Sequence, residues 1–128
     1  MHPSDLRSEH GEVGDVYLTR TQIAARVAEL GSEIARDYAG LDPLLIAPLK
    51  SSVVFLADLT RSLPIPHTLD VIELAPYSPD QSSGDQGGGI RLLKDVDAPI
   101  EGRHVLIVED VVDTGLTLHF LVKTLGLH

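Results

Sequence analysis

The stretch Val105-Leu-Ile-Val-Glu-Asp-Val-Val-Asp-Thr-Gly-Leu-Thr117 decides the fold that this sequence predicts. Its first four residues form a continuous apolar run, which is typical of a strand buried on both faces of a parallel sheet. Two acidic residues follow directly, and the stretch then leads into a predicted helix over Leu116–Leu125. Ligands of open α/β sheets bind beyond the carboxyl ends of the strands, so this stretch predicts a binding site at that edge.

The side chains after the strand indicate which ligand this edge would bind. Glu109 and Asp110, the acidic pair, can accept hydrogen bonds from sugar hydroxyls and can orient Mg²⁺ through water or substrate oxygens. Residues 113–117, the phosphate cradle, place hydroxyls and N–H groups at a helix start, where the helix dipole favours a phosphate. Asp113 lies between the two and can serve as a general base. Aspartate and threonine are also common helix caps, so the prediction depends on the whole pattern.

Apolar spacing predicts alternating helices and strands in the rest of the chain. The first helix would run over about Arg20–Ala39, after a capping box that begins at Thr19. A second helix, over about Ser52–Ser62, would bury one apolar row that consists of Val53, Leu56, Leu59 and Leu63. The remaining elements are four predicted strands: Leu44–Ala47, which Pro48 would end, His67–Leu74, Ile90–Lys94 and His104–Val108.

This alternation predicts an α/β fold with a mainly parallel sheet flanked by helices. We expect residues 17–128 to form a single domain and the polar residues 1–16 to form an N-terminal tail. The stretch Pro76–Gly89 is rich in proline, glycine and serine. Such a composition predicts a long loop, and a long loop in a small domain is usually functional or disordered.

Composition excludes several kinds of site and partner. The formal net charge of −9 opposes binding to nucleic acid or to an anionic membrane surface. The absence of cysteine excludes a disulfide scaffold, a thiolate zinc site and a cysteine nucleophile. The sequence has no apolar run as long as a membrane span, and the segment Met1–Leu6 lacks a signal-peptide pattern. We therefore expect a soluble, cytoplasmic protein without nucleic-acid or membrane partners.

The stretch 105–117 resembles the phosphoribosyl pyrophosphate (PRPP) motif of type I phosphoribosyltransferases. Four other stretches are similar to the hypoxanthine (hypoxanthine-guanine) branch of that family, namely Leu44–Lys50, Val54–Leu59, Arg91–Asp95 and Ile100–Arg103. The similarity extends over about Val16–Leu125. It implies the family's phosphoribosyltransferase-like fold. It also implies a purine phosphoribosyltransferase, which transfers 5-phosphoribosyl from PRPP to a purine base and releases pyrophosphate.

The resemblance assigns a role to each matching residue. Glu109 and Asp110 would hold the ribose hydroxyls with Mg²⁺ nearby, and Asp113 would accept the proton from purine N7. The 5-phosphate would bind to the phosphate cradle, which consists of Asp113, Thr114, Gly115, Leu116 and Thr117. Lys50 and Ser51 would belong to the pyrophosphate loop, with a cis peptide before the lysine, although Lys50 alone also fits an ordinary surface lysine. Tyr77 would belong to the flexible catalytic loop.

Two local features depart from the family pattern. Ser51 follows the pyrophosphate-loop lysine, where the family usually has glycine, and its Cβ would make a positive φ costlier. Pro76 precedes Tyr77, where the family usually has serine, and proline removes a backbone donor.

The sequence also stops one helix after the phosphate cradle, before the strands that carry the family's base-binding residues. From this we expect a truncated sheet with exposed apolar surface on its last strand and helix, at Val105, Ile107, Leu121 and Leu125. Exposed apolar surface usually marks an association site, so a homo-oligomer or a complex with another subunit is expected.

Two functions are compatible with these observations. The first is a purine phosphoribosyltransferase, and Asp113 favours it because a protein that only binds needs no base. The second is a non-catalytic paralogue that binds PRPP or a nucleotide, or scaffolds a partner, without the base-binding half. The altered loops at Lys50 and Tyr77 favour this second function. The sequence does not specify which base is accepted.

Overall fold

The central strand of the sheet is formed by the most apolar stretch of the chain. The computed structural model describes residues 14–77 and 89–126. Its elements, in chain order, are α1 (Arg20–Asp37), β1 (Leu44–Leu49), α2 (Ser52–Arg61), β2 (Thr68–Tyr77), β3 (Gly89–Lys94), β4 (Val105–Ile107) and α3 (Leu116–Leu125). The strand order is β3-β2-β1-β4. β1 is parallel to β2 and β4, whereas β3 is antiparallel to β2. This arrangement confirms the predicted α/β fold with a mainly parallel sheet.

Side chains of β1 alternate between two hydrophobic clusters, one on each face of the sheet. Leu44 and Ile46 pack with residues of α3, whereas Leu45 and Ala47 pack with residues of α2 and α1. All four are fully buried. The protein therefore has three layers, with α3 on one face of the sheet and the two other helices on the opposite face.

The predicted exposure of the last strand and helix is partly wrong. Leu121 is fully buried and Leu125 is 8% exposed, because α3 folds back onto the sheet and packs beside Leu44 and Ile46. Val105 and Ile107 are half-buried against the same cluster. The exposed apolar side chains near this end lie instead on the loop after β4 and on the outer side of α3, and they include Val111, Val112, Leu116 and Val122.

Both prolines that were expected to limit strands lie within strands. Pro48 pairs with Ile72 in β1. Its nitrogen faces the β4 side, as Ile46 does two residues earlier, and β4 has ended there, so no partner needs the missing N–H. Pro76 lies in β2 opposite Ile90, beyond the last β1 partner of β2. The predicted loop is therefore shorter at both ends, and its residues 78–88, like tail residues 1–13, lie outside the described residues.

The helix boundaries agree with prediction within two residues. The capping box of α1 is present, since the Thr19 hydroxyl accepts from the Gln22 N–H and the Gln22 side chain accepts from the Thr19 N–H. In α2, however, the buried row begins at Ser52 rather than at Val53, which is 41% exposed. Within the described part of the chain, no helix is both long and apolar enough to cross a membrane.

Gly31 is the point of closest approach between α1 and the end of α2. A Cβ built on this glycine would overlap the carbonyl oxygen of Ser62 and lie 2.8 Å from its carbonyl carbon. We expect Gly31→Ala to lower the free energy of unfolding by about 1–3 kcal/mol, because the two backbones must separate. Thermal unfolding would measure this, with Gly14→Ala as control, since no atom of the described residues lies within 4 Å of a Cβ at that position. At an exposed helical position, replacing glycine with alanine would raise the free energy of unfolding. Such an increase for Gly31→Ala would therefore contradict the close contact.

Asp70 ties β2 to the turn after β3. Its carboxylate accepts backbone N–H groups of Val71, Asp97 and Ala98 at 2.8–2.9 Å. Burial raises the pKa of Asp70, but these three donors and the Lys94 ammonium outweigh burial and hold the pKa below its usual value. A carboxyl with a lowered pKa in the folded state stabilises the fold at neutral pH, and this contribution is lost as pH falls through that pKa.

We expect Asp70→Asn to lower the free energy of unfolding at pH 7 by about 1–2 kcal/mol, because the amide offers a single acceptor oxygen and no charge. Urea denaturation of parent and variant at pH 7 and at pH 3 would measure this difference. The difference in unfolding free energy between parent and variant should be smaller at pH 3 than at pH 7, because the parent loses the stabilisation by its ionised Asp70 as pH falls below the usual carboxyl pKa and through the lowered one. If the difference in unfolding free energy is the same at both pH values, the ionised Asp70 carboxylate is not the source of the stabilisation.

Candidate functional site

The candidate site lies where β1 and β4 end side by side. The Val108 N–H donates to the Ile46 carbonyl over 2.8 Å, which continues the parallel pairing just past β4. The chain after β1 turns into α2 at Ser52, and the chain after β4 turns outward at the acidic pair. Parallel pairing therefore brings two segments that are distant in sequence to the same edge of the sheet.

Ser52 connects these two segments. Its hydroxyl oxygen lies 3.1 Å from Glu109 Oε1 and 3.3 Å from Asp110 Oδ1, and it accepts the Asp110 backbone N–H at 3.2 Å. Asp110 is exposed and also accepts the Val111 N–H, whereas Glu109 is partly buried. One carboxylate of the acidic pair therefore faces solvent, and the other is held against the end of α2.

The two carboxyls of the acidic pair differ in acidity. Burial raises the pKa of Glu109, and the hydrogen bond and charge repulsion with Asp110 raise it further. The hydrogen bond from the Ser52 hydroxyl lowers this pKa but does not offset the increase. For Asp110, desolvation raises the pKa, but hydrogen bonds with Glu109, the Val111 N–H, Ser51 and Ser52 together outweigh desolvation and lower the pKa. Asp110 is thus the carboxyl that keeps its negative charge to lower pH.

One buried oxygen of the acidic pair lacks a donor within the part of the chain that the structure describes. It is Glu109 Oε2, which accepts no hydrogen bond from residues 14–77 or 89–126. A buried carboxylate oxygen without a donor costs about 1–3 kcal/mol or more. The arrangement is therefore suited to a ligand that brings a hydroxyl or a bound water to this oxygen.

The phosphate cradle forms a small pocket beside the acidic pair. Gly115 adopts φ +83°, a left-handed conformation that favours glycine, immediately before α3 begins. The Leu116 N–H donates to the Thr114 hydroxyl at 3.3 Å, which shapes the turn. The resulting cavity of about 180 Å³ is lined by eight residues: Glu109, Val111, Val112, Asp113, Thr114, Gly115, Thr117 and Leu118. N–H groups in the first turn of a helix have no partner within the helix, so this helix start is suited to an anion.

A larger cleft adjoins this pocket. Its volume is about 420 Å³, and it lies between the end of β1, the β2–β3 hairpin and the acidic pair. Glu109, Val111 and Thr117 line both cavities. A ligand that fills the small pocket can therefore extend past the acidic pair into the larger cleft.

The loop between β1 and α2 forms one wall of the larger cleft. The Leu49–Lys50 peptide bond is cis, as the resemblance implies. Ser51 lines the cleft with φ −61°, so its Cβ causes none of the strain expected for a positive φ. Lys50 is exposed, and its side chain does not line either cavity. Tyr77 is the last residue of β2, opposite Gly89, and its side chain lies outside the described residues.

Most of the predicted site residues therefore lie together, and the structure adds others. Glu109, Asp110, Asp113, Thr114, Gly115, Thr117 and Ser51 line one of the two adjoining cavities. Sequence reasoning missed Ser52 and the hairpin wall of the larger cleft, which includes Leu74 and Ile90. Helical spacing gave a signal that Ser52 shares with Val53, because these residues lie four and three positions before Leu56. The resemblance placed the loop around Tyr77 at the catalytic site, but it did not indicate that the flanking strands would line the cleft through Leu74 and Ile90.

Comparison with known proteins identifies chains of similar sequence and fold. The hypoxanthine-guanine phosphoribosyltransferase of Mycobacterium avium is 46% identical over an alignment that covers 98% of this chain and 60% of that protein. Two solved structures are also similar. The hypoxanthine-guanine phosphoribosyltransferase of Bacillus anthracis has a TM-score of 0.78 and 39% identity, and the alignment covers 91% of this chain and 68% of that chain.

A mutant of the hypoxanthine phosphoribosyltransferase of Trypanosoma cruzi, solved with the product IMP, has a TM-score of 0.77 and 37% identity. That alignment covers 93% of this chain and 63% of the Trypanosoma chain. This chain thus spans about 60% of the length of the Mycobacterium relative. The family model of the phosphoribosyl transferase domain matches residues 14–126, which include both cavities. The chain therefore belongs to the phosphoribosyl transferase domain family.

Proposed function

We propose that this chain binds PRPP and supplies the phosphoribosyl half of a purine phosphoribosyltransferase of the hypoxanthine-guanine type. The observation that carries this proposal is the acidic pair at the junction of two cavities, a small one at a helix start and a larger one beyond it. PRPP has a matching order of groups: a 5-phosphate, a ribose with two free hydroxyls, and a pyrophosphate. The names of the relatives support the purine as acceptor.

In this arrangement the small pocket holds the 5-phosphate and the larger cleft holds the pyrophosphate. Thr114, Thr117 and the N–H groups of the phosphate cradle would donate to the phosphate oxygens. Glu109 and Asp110 would accept hydrogen bonds from the ribose hydroxyls. Ser51 and the backbone around Lys50 would face the pyrophosphate. Because the chain fixes both ends of the ligand, C1 of the ribose would be oriented toward an incoming base.

The acidic pair also fits an indirect site for Mg²⁺. Within residues 14–77 and 89–126, no group of three or more acidic or histidine side chains could hold a metal ion. Mg²⁺ is usually held by one or two carboxylates together with waters and substrate phosphates, so the pair is sufficient for an ion brought in by PRPP. The unpaired Glu109 Oε2 offers an acceptor for a water on that ion. The ion would supply charge neutralisation at the pyrophosphate.

Asp113 is the proposed general base. It is exposed and lines the small pocket, on the loop between the acidic pair and α3. A carboxylate at this position can accept the proton from purine N7 as the base bonds to ribose C1 and pyrophosphate leaves. The exposed Val111 and Val112 beside it offer apolar surface near the same pocket.

The proposed function is tested in two steps on the same preparation. PRPP binding is measured calorimetrically with Mg²⁺, and pyrophosphate release is then measured with and without hypoxanthine or guanine. We expect binding, and release that depends on the purine. Binding without release on any purine would favour the alternative, a non-catalytic PRPP-binding paralogue, and no binding would contradict both. Solution mass should be determined in parallel, since a homo-oligomer or a second subunit is the proposed assembly.

A further inference from the structure

Ser52 is a fully buried polar residue at the start of α2. Serine is mostly exposed in proteins, and a buried hydroxyl normally requires a specific partner. The partners of Ser52 are not in its own helix. They are Glu109 and Asp110, which are 57 and 58 residues away in sequence.

The Ser52 hydroxyl bridges the two carboxyl groups of the acidic pair. Its oxygen lies within 3.3 Å of one carboxylate oxygen from each member of the acidic pair, and it accepts the backbone N–H of Asp110. A hydroxyl has a single hydrogen to donate, so the two carboxylates share one donor. The shared donor ties both carboxyl groups to the start of α2 and so limits the rotation of their side chains.

We propose that Ser52 is a positioning residue that sets the orientation of the acidic pair for the ribose hydroxyls. Ser52 directly follows Ser51, which lines the larger cleft, so the bridge also fixes the acidic pair relative to that wall of the cleft. The inference rests on the proposed function, because it concerns the same ligand. It assigns sugar-hydroxyl selectivity to a side chain that does not line either cavity.

The test compares two ligands that differ by one hydroxyl, ribose 5-phosphate and 2-deoxyribose 5-phosphate. We expect Ser52→Ala to weaken binding of ribose 5-phosphate about tenfold, the scale of one hydrogen bond to a charged group. Its effect on 2-deoxyribose 5-phosphate should stay within about threefold, because that sugar lacks one of the hydroxyls read by the pair. The affinities of two proteins for two ligands form a double-mutant cycle. The cycle separates the coupling between Ser52 and the 2-hydroxyl from a general loss of binding.

Three further variants support the comparison. Ser52→Gly removes the same hydroxyl together with the Cβ, so the same change in both variants would assign the effect to the hydroxyl. Ser52→Thr retains the hydroxyl and should keep the parent preference for ribose. Ser32→Ala is the matched control, because that helical serine bonds to the Ala28 carbonyl on α1. It should leave both affinities unchanged.

Failure of this inference is distinguishable from failure of the proposed function. If the parent protein binds neither PRPP with Mg²⁺ nor ribose 5-phosphate, the proposed function fails. If it binds PRPP but not ribose 5-phosphate, the acidic pair supplies no measurable sugar affinity and the positioning role of Ser52 is overturned. If the parent binds both sugars equally, the acidic pair does not read the 2-hydroxyl and the positioning role falls with it. If the parent prefers ribose but hydroxyl removal at Ser52 weakens both sugars equally, or neither, Ser52 is a structural residue only.

Discussion

An Asp113→Asn variant is expected to bind PRPP within about threefold of the parent affinity and to release pyrophosphate about 100-fold more slowly with a purine present. Asparagine has nearly the same shape, so the loop between the acidic pair and α3 should be preserved. It cannot accept a proton, so purine N7 would have to lose its proton to water. Initial rates of purine-dependent pyrophosphate release measure the effect, and calorimetry measures PRPP affinity.

The role of Asp113 is decided by whether Asp113→Asn changes the rate of pyrophosphate release, the affinity for PRPP, or both. Asp113 lies in the pocket proposed for the 5-phosphate, so it could also act by shaping that pocket. In that case Asp113→Asn would change PRPP affinity and rate by similar factors. Asp37→Asn, which removes an exposed aspartate at the end of α1, is the control for net charge and should change neither. A parent-like rate in Asp113→Asn would exclude the general base.

The sheet was predictable from the sequence because its central strands are apolar on both faces. Leu44–Ala47 is such a stretch, and each face has a cluster to receive its side chains. The ends of two strands were not predictable, because Pro48 and Pro76 were expected to limit strands and both lie within them. Proline excludes a strand only where a neighbouring strand needs its N–H, and neither Pro48 nor Pro76 has such a neighbour. Strand register, which decides this, is not visible in a single sequence.

The burial of α3 shows a second limit of sequence reasoning. We expected Leu121 and Leu125 to be exposed, because the resemblance implied that strands of the family were missing from this sequence. The side chains instead pack on the face of β1 that carries Leu44 and Ile46. Burial of an amphipathic helix depends on the nearest apolar surface, and β1 provides that surface.

The candidate site was predictable where the chemistry lies in consecutive residues. The acidic pair and the phosphate cradle are such a stretch, and one loop holds them. Ser52 was missed because its importance arises from contact with that stretch across the sheet. Helical spacing alone was ambiguous, since Ser52 and Val53 both precede Leu56 at helical spacing, and only the three-dimensional contact with Glu109 separates them.

The sign of the effect of Asp110→Asn distinguishes a ligand contact from long-range electrostatics. The chain has a formal net charge of −9, and PRPP is itself an anion. Removal of any carboxylate should therefore slightly strengthen binding if charge repulsion alone decides affinity. The proposed contact predicts the opposite. Asp110 is the exposed carboxyl with the lowered pKa, so it is ionised at neutral pH and available to a hydroxyl donor.

We expect Asp110→Asn to weaken PRPP binding with Mg²⁺ about 10- to 100-fold, since charge-assisted hydrogen bonds to the ribose and to metal-bound water are lost. Asp58→Asn is the matched control, because it removes the same charge on α2, where Asp58 pairs with Arg61. That variant should bind PRPP as well as the parent or slightly better. Calorimetric titrations at two salt concentrations complete the test, because screening reduces long-range repulsion but leaves a direct contact largely unchanged. If both variants bind with equal or improved affinity, the acidic pair does not contact PRPP, and the assignment of the ribose site to the end of β4 is wrong.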